Sequence, residues 1–228
     1  MKKLFLIPAR GGSKGLPRKN ILPLAGKPLI CHTVDTALEL MKEGDELCVS
    51  TDDYEIIEIL KNYGISVPFV RPVELSTDSA SSRGVILHAL EFYSEVHFDI
   101  VVYLQPTSPF RSASNINDCI KLFNKELDMV ASVRETKSNP YFNLYEEDEN
   151  GFIKLSKRSN IIRRQDCPPV WELNGAVYII NPSSIISKNM NEFEKIKKYP
   201  MDATSSLDID TNIDWSTAVS LIKSNNKI

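Results

Sequence analysis

The sequence predicts an α/β fold built on a doubly wound, mostly parallel sheet. Short apolar runs such as residues 4–7 and 100–104 contain no charged residue. This is typical of strands buried on both faces of a parallel sheet. Amphipathic helical patterns alternate with these runs along most of the chain, as they do in proteins built from strand–helix–strand units.

Length and composition suit one domain, residues 1–228, that binds neither nucleic acid nor a membrane. The chain has 228 residues, 42% of them hydrophobic and 25% charged, and a formal net charge of −3. This mildly acidic balance disfavours nucleic acid as a partner. No apolar run approaches the ~20 residues needed to span a bilayer, and no signal peptide is visible. The four scattered cysteines indicate reduced thiols in a cytoplasmic protein.

The elements can be assigned in order from apolar periodicity and from capping residues. After the first strand, the predicted strands are residues 47–50, 100–104, 129–133 and 176–180. The predicted helices are residues 28–42, 54–62, 83–94, 113–124 and 212–224. His32, His88 and Trp215 fall within helical patterns, where we expect them to pack and not to act in catalysis.

The strand–helix alternation breaks between residues 137 and 170. A polar, turn-rich stretch at residues 146–151 separates two short strand-like pieces, residues 141–145 and 152–155. This pattern predicts a β-hairpin that leaves the sheet, which we call the excursion. From the residues alone it is either a solvated flap or an arm that forms a dimer.

The loop after the first strand is built for a polyphosphate. Gly11, Gly12 and Gly15 are interleaved with polar and cationic residues, namely Arg10, Ser13, Lys14, Arg18 and Lys19. Glycines let backbone N–H groups approach an anion closely, and the cations add full charges. The spacing matches neither the P-loop nor the dinucleotide-binding fingerprint. The alternative is a solvated basic loop that merely turns the chain.

Other polar segments should lie at the same sheet edge, because ligands bind beyond the carboxyl ends of the strands. We expect residues 9–20, 52–53, 71, 105–111 and the segment after Ile180 to converge there. Gln105, Thr107 and Ser108 offer an amide and two hydroxyls on a loop stiffened by two prolines, which suits a sugar. The alternative for this loop is a helix entry capped by Ser112 or Ser114.

Asp208 and Asp210 form a candidate metal site. They stand one residue apart, so both carboxylates point to the same side of an extended chain. Mg²⁺ is the natural candidate, because it binds one or two carboxylates together with substrate phosphates. The alternative is capping of the last helix by Asp210 or Thr211.

These motifs resemble those of the CMP-N-acylneuraminate (CMP-sialic acid) synthetase family. The resemblance covers essentially the whole chain and rests on five segments. The first is the loop containing Ala9, Arg10, Ser13, Lys14, Gly15, Lys19 and Asn20. The others contain Arg71 and Ser82, the run 105–111, Arg164 with residues 174–178, and the Asp208–Asp210 pair.

The resemblance implies a cytidylyltransferase with a Rossmann-like sheet of the nucleotide-diphospho-sugar transferase type. Its substrates would be CTP and a nonulosonic (sialic-type) acid, its cofactor Mg²⁺ and its assembly a homodimer formed through the excursion. The implied catalytic residues are Arg10, Lys14, Lys19, Asp208 and Asp210. The implied nucleotide contacts are Ala9, Arg10, Gly11, Ser13, Lys14, Lys19, Asn20, Arg71 and Ser82. The implied sugar contacts are Gln105, Thr107, Ser108, Arg164 and Tyr178, with Arg163 as the alternative to Arg164.

Three alternatives stay open on the sequence. One is a cytidylyltransferase for a related acid, namely legionaminate, pseudaminate or 3-deoxy-manno-octulosonate. The second is a glycosyltransferase with an Asp-x-Asp metal motif on a related sheet, which would have little use for Lys14 and Lys19. The third is a nucleotide-binding regulator without catalytic activity.

Overall fold

The computed structural model describes residues 1–12 and 15–225 and contains ten strands and six α-helices. The strands are β1 (Lys3–Pro8), β2 (Pro23–Leu24), β3 (Lys27–Pro28), β4 (Glu46–Ser50), β5 (Ile100–Tyr103), β6 (Met129–Glu135), β7 (Tyr145–Glu147), β8 (Ile153–Leu155), β9 (Trp171–Ile180) and β10 (Ile196–Pro200). The helices are α1 (Leu29–Leu40), α2 (Tyr54–Asn62), α3 (Ser82–Phe92), α4 (Ala113–Leu122), α5 (Pro182–Ser187) and α6 (Asn212–Asn225).

Six strands form the main sheet, in the order β10-β6-β9-β5-β1-β4. β1 is parallel to β4 and β5, and β10 is parallel to β6. β9 runs antiparallel to both of its neighbours, β5 and β6. The prediction of a mostly parallel α/β sheet is therefore confirmed, with β9 as the strand that runs the other way.

The direction of β9 corrects one expectation about the sheet edge. Ile180, the last residue of β9, pairs with Val101 and Met129 near the starts of their strands. The residues directly after Ile180 therefore lie at the edge opposite the loop that follows β1. The chain returns through β10, and the segment containing Asp208 and Asp210 follows that strand.

The alternating side chains of β1 show why its apolar run is unbroken. Phe5 and Ile7 belong to a core that includes residues of α1, α2 and α4. Leu4 and Leu6 belong to a second core, with residues of α3 and α5, on the other face. Each of these four side chains is completely buried, and burying such a side chain contributes about 1.5–3 kcal/mol. The strand is thus fixed on both faces directly before the glycine-rich loop.

A third core holds the last helix against the loop region. It joins Leu16 and Leu24 to Ile209 and Ala218, and Trp215 packs against it. Because Ile209 lies between Asp208 and Asp210, this core fixes the position of the two carboxylates relative to the loop.

The predicted helices are all present, and side chains cap the N-termini of three of them. Asp53, Ser81 and Ser112 accept hydrogen bonds from the first turns of α2, α3 and α4. The expectation that the helical histidines pack is confirmed. His32 is buried against the Leu24 carbonyl oxygen, and His88 contacts the ring of Phe69.

The excursion contains the predicted hairpin, formed by β7 and β8. Its first strand begins at Tyr145 and not at residue 141 as predicted. The Asn139 side chain accepts a hydrogen bond from the Tyr141 N–H, and the Asn139 carbonyl accepts three more from the next residues. This asparagine turn uses the N–H groups that a strand would need.

The composition of the helices also bears on the membrane prediction. In the part of the chain that the structure describes, no helix is both long enough and apolar enough to cross a membrane.

Three of the four cysteines, Cys31, Cys48 and Cys119, are buried, and Cys167 is partly exposed.

Candidate active site

The glycine-rich loop packs tightly at the carboxyl end of β1. The Ala9 N–H donates to the Ser50 carbonyl (2.9 Å), and the Gly11 N–H donates to Asp52 Oδ1 (3.1 Å). A β-carbon on Gly15 would lie 2.4 Å from the Asp210 carbonyl oxygen. Glycine is therefore required at position 15 for close approach to the Asp208–Asp210 segment. Ser13 and Lys14, predicted phosphate contacts, lie outside the described residues.

Lys19 connects the loop to the aspartate pair. Its Nζ lies 2.5 Å from Asp210 Oδ1 and 3.1 Å from the Ile209 carbonyl oxygen. The Asn20 side chain donates to the Arg10 carbonyl (3.0 Å), while its own Oδ1 is buried without a hydrogen-bond partner. The Asn20 side chain thus holds the two ends of the loop together. Its Oδ1 can still accept a hydrogen bond.

Arg10 and Arg18 differ in where their guanidinium groups lie. Arg10 donates to the Thr77 carbonyl (3.1 Å) and forms an ion pair with Asp78 (2.9 Å). Arg18 turns away and pairs with Asp53 and Glu55 of the α2 region. Arg10 therefore belongs to the cavity described next, whereas Arg18 anchors the loop.

A cavity of about 490 Å³ opens beside the loop. It brings together most of the predicted nucleotide contacts that the structure describes. Its lining includes Arg10, Gly15, Lys19, Asn20, Arg71, Ser82, Tyr103, Gln105, Thr107 and Asp210. Ala9 is completely buried, and Gly11 lines a neighbouring small cleft.

Arg71 and Ser82 line this cavity together with Tyr103. Arg71 is buried and donates to the carbonyls of Ser50 and Leu75. Burial lowers its pKa from the ordinary value of an arginine. Ser81, not Ser82, caps α3, so the Ser82 hydroxyl is free to hydrogen-bond Tyr103 at the cavity wall.

Arg111 fixes the loop that carries Gln105. It is buried, and its Nη1 donates to the carbonyls of Gln105 (2.6 Å) and Ala176 (3.0 Å). Burial lowers its pKa to about 9, although the charge of Asp208 opposes that shift. Arg111 belongs to the 105–111 motif, but its residue type and position in the sequence predict no role for it. Its contacts make it a positioning residue that ties the Gln105 loop to β9.

The predicted role of Ser108 as a direct sugar contact is not supported. Ser108 is completely buried, and its hydroxyl has no hydrogen-bond partner. Thr107, by contrast, lines the first cavity. The physical reason is the turn after β5: it directs the Ser108 side chain into the protein while Gln105 and Thr107 face the cavity.

The Asn174–Gly175 segment forms a bulge in β9. The pairing of β6 with β9 changes register between Ala131 and Val133. The Asn174 amide bridges Ser132 (2.5 Å) and Ser206 (2.9 Å). Gly175 adopts φ +73°, which a residue with a side chain rarely does. The bulge changes the direction of the strand, and Tyr178, which follows it, lines a second cavity.

The second cavity has a volume of about 400 Å³ and shares two residues with the first, Gln105 and Asp210. Its lining includes Gln105, Arg134, Glu172, Leu173, Tyr178, Asp208, Asp210 and Asp214. Gln105 and Asp210 therefore mark the boundary where ligands in the two cavities would meet.

Both aspartates face the second cavity, because buried Ile209 lies between them and donates its N–H to the Thr107 carbonyl (2.9 Å). Asp208 Oδ1 is buried without a hydrogen-bond partner. Burial raises the pKa of Asp208, and a hydrogen bond from Thr107 opposes that shift. An orphaned carboxylate oxygen next to a second carboxylate is a donor set that suits a hard divalent cation.

Of the two residues that the sequence allows as the cap of α6, Thr211 has that role in the described residues and Asp210 does not. The Thr211 hydroxyl accepts from the Asp214 N–H (3.3 Å), and the Asp214 carboxylate accepts from the Thr211 N–H (2.7 Å). These two residues form a reciprocal cap for α6. In the described residues, no group of three or more candidate ligands forms a metal cluster. A metal here would use two carboxylates and complete its shell with substrate or water.

Arg164 lies apart from the two central cavities. It lines a third cavity at the base of the excursion, with Glu135, Gln165, Cys167 and Pro169. Arg163 forms an ion pair with Asp166 (2.8 Å). A single chain therefore does not bring either arginine together with Gln105 and Tyr178.

An α/β sheet with a glycine-rich loop and two adjoining cavities at one edge suits an enzyme that binds a nucleotide beside a second substrate. The comparisons with known proteins are more specific. The family model described as cytidylyltransferase matches residues 4–224. The chain belongs to this cytidylyltransferase family, and it is an enzyme.

Relatives of known name agree with this assignment. The chain is 35% identical over 228 residues to the CMP-N,N'-diacetyllegionaminic acid synthase of Legionella pneumophila, covering 99% of this chain and 98% of that protein. It is 37% identical over 217 residues to an N-acylneuraminate cytidylyltransferase of Streptococcus agalactiae, covering 94% of this chain and 52% of that protein. The chain thus spans about half the length of the streptococcal relative.

Solved structures support the fold. The CMP:2-keto-3-deoxy-manno-octonic acid synthetase complexed with CTP superposes with a TM-score of 0.73 at 19% identity, covering 98% of this chain and 99% of that one. A 4-diphosphocytidyl-2C-methyl-D-erythritol synthase from Anaerococcus prevotii gives a TM-score of 0.64 at 15% identity, covering 97% and 98%. The Rossmann-like α/β fold is therefore confirmed. The glycosyltransferase and regulator alternatives do not fit the family.

Proposed function

We propose that this cytidylyltransferase activates a nonulosonic acid, with CTP and an N-acylneuraminate giving the CMP-sugar and diphosphate. The boundary between the two cavities, formed by Gln105 and Asp210, carries the proposal. A nucleotide in the first cavity and a sugar acid in the second would meet there. The anomeric hydroxyl would attack the α-phosphorus in line, and diphosphate would leave.

The nucleotide would occupy the first cavity. Arg71 and Ser82 would contact the cytidine. Arg10, Lys19 and Asn20 would hold the triphosphate and then the departing diphosphate, and Ser13 and Lys14 would join them. Ala9 and Gly11 would contribute backbone contacts. Positioned cations are what phosphoryl transfer chiefly requires, because charge accumulates on the phosphate oxygens.

The sugar acid would occupy the second cavity, where Gln105, Tyr178 and Asp208 are exposed to it. Thr107 would support the site through its hydroxyl, which lies 3.5 Å from Gln105 Oε1 and opposes the rise in the pKa of Asp208. Arg164 would recognise the sugar carboxylate only if it reaches the cavity from another subunit. For this reason the proposal includes a homodimer in which the excursion, residues 137–170, crosses to the partner.

Asp208 and Asp210 would hold Mg²⁺. When bound, this ion would neutralise phosphate charge and lower the pKa of the attacking hydroxyl. Asp208 offers its unpartnered Oδ1, and Asp210 would exchange its contact with Lys19 for the ion. Lys19 would then be released toward the phosphates. The protein would form a single domain, residues 1–228, and would act in the cytoplasm, as the sequence predicts.

Related acids are the second candidates, because relatives of comparable similarity bear different substrate names. A protein 31% identical over 232 residues is named pseudaminic acid cytidylyltransferase, from Campylobacter jejuni. A pyrophosphate-release screen with CTP and a panel of N-acylneuraminate, legionaminate, pseudaminate and 3-deoxy-manno-octulosonate tests the proposal. Release with one nonulosonic acid far above the others supports it, and release with none of them contradicts it.

A further inference from the structure

Arg134 and Glu172 form an ion pair in the second cavity for which the proposed reaction has no role. They face each other across the antiparallel β6–β9 pairing. The guanidinium binds the carboxylate through two hydrogen bonds, of 2.9 and 3.0 Å. Among the described residues that line this cavity, Arg134 is the one lysine or arginine.

The fold has little need of this pair. Both side chains are 48% exposed, and exposed ion pairs contribute little to stability. The fork uses two of the five donors of the guanidinium and leaves acceptor positions free on the carboxylate. The pair therefore presents unused donors and unused acceptors to the cavity.

The position of the pair determines which part of a sugar acid it would contact. The second cavity meets the nucleotide cavity at Gln105 and Asp210, and it meets a further cavity at Arg134 and Glu172. The reacting C2 and its adjacent carboxylate would lie at the Asp210 boundary. The ion pair would thus face substituents remote from C2.

The chemistry of this end of the cavity favours a neutral group. The pair has no net charge, and Asp208, Asp210 and Asp214 line the same cavity, so a second carboxylate would gain little here. A secondary amide offers one donor and one acceptor and is planar, like the fork itself. Leu173, the next residue along β9, is 51% exposed and lines the same cavity. It would cover an acyl methyl group.

Resting on the proposed function, we infer that Arg134 and Glu172, with Leu173, form the specificity subsite for an acylamino substituent of the sugar acid. Arg134 would donate to the amide carbonyl, Glu172 would accept from the amide N–H, and Leu173 would contact the acyl methyl. These residues would act in substrate selection and not in the chemical step.

The test compares two sugar acids in pyrophosphate-release kinetics: N-acetylneuraminate and the analogue with a hydroxyl in place of the acetamido group. Arg134→Met should raise the KM for the acetamido acid at least ~10-fold, since a lost hydrogen bond leaves a partner unsatisfied. The KM for the hydroxyl analogue should change less than ~3-fold, and the KM for CTP should not change. Glu172→Gln should shift the same ratio in the same direction, and serves if Arg134→Met fails to fold. Lys121→Met, which removes an exposed ion pair with Asp118 on α4, is the control.

Equal losses with both acids would overturn the inference and would point to contact with a group that the two acids share. An unchanged KM for the acetamido acid, or a rise in the KM for CTP, would also overturn it. If the wild type uses only the acetamido acid, the KM values of Arg134→Met for that acid and for CTP are compared. A raised KM for the acid with an unchanged KM for CTP supports the inference, and any other result overturns it. If the wild-type enzyme used no nonulosonic acid, the proposed function itself would fall, which is a distinct result.

Discussion

Lys19 and Asp210 are in direct contact although 191 positions separate them in the sequence. The ammonium group of Lys19, in the glycine-rich loop, lies 2.5 Å from the carboxylate of Asp210, which is one of the two candidate metal ligands. One ion pair therefore joins the triphosphate-binding and metal-binding parts of the proposed site. Each group would have to exchange the other for a substrate phosphate or a metal ion, so the two residues should both be essential for turnover.

Lys19→Ala should lower turnover at least ~100-fold while leaving the fold intact. A charge-assisted phosphate contact that strengthens in the transition state contributes about 3 kcal/mol. Pyrophosphate release measures the loss, and circular dichroism checks the fold. Lys121→Ala, at an exposed ion pair on α4, should behave like the wild type. Near-normal turnover by folded Lys19→Ala would remove Lys19 from the mechanism.

Asp210→Asn should abolish most activity with little change in thermal stability. The side chain is 64% exposed and does not cap α6, so the fold does not depend on its charge, whereas a hard-cation site does. Asp208→Asn should have a similar effect on activity, and excess Mg²⁺ should partly restore one or both variants. Asp118→Asn, the same change at an exposed position of α4, is the matched control. Unchanged activity of both variants at limiting Mg²⁺ would refute the metal site.

Gly15→Ala should reduce activity strongly, because the added β-carbon would lie 2.4 Å from the Asp210 carbonyl oxygen. Backbone atoms cannot move aside as a flexible side chain can, so the loop and the aspartate segment must separate. Gly12→Ala is the comparison within the same loop, since a β-carbon there meets nothing within 4 Å. We expect a much smaller loss of kcat/KM for Gly12→Ala. Equal losses for the two variants would show that close packing at Gly15 is not what matters.

The protein should sediment as a dimer at micromolar concentration. The excursion exposes large apolar side chains, including Phe152 (68%), Ile153 (65%) and Ile162 (88%), and an isolated hairpin has too little buried apolar surface to be stable alone. Ile162→Glu should shift the sedimentation velocity profile toward the monomer and reduce turnover if Arg164 acts across the interface. A monomeric wild type would contradict the proposed assembly.

The sequence predicted best those elements in which local pattern and tertiary environment agree. The run at residues 4–7 is apolar because β1 is buried on both faces, and α2 occupies the predicted residues because Asp53 caps it. β10 was missed because its residues, Ile196–Pro200, include two lysines, and it is an edge strand. The direction of β9 was also missed, since an apolar run carries no information about strand polarity.

In the candidate site too, some features could be predicted from the sequence and others could not. Charge and spacing in the sequence single out Lys19 and Asp210 as candidate site residues, and the structure places the two in contact. Whether Ser108 faces a ligand or the interior depends on the path of one turn, which the motif does not specify. The Arg134–Glu172 pair depends on the register between two strands far apart in sequence, so no local signal could have identified it.

The fate of the α-phosphate of CTP tests the central claim most directly. With CTP labelled at the α-phosphorus, a nonulosonic acid and Mg²⁺, the label should appear in a CMP-sugar, with one unlabelled diphosphate released for each labelled product. Omitting the acid or the metal should stop both. Label that appears only in free CMP or CDP, or diphosphate that is released without the acid, would contradict cytidylyl transfer to a sugar acid.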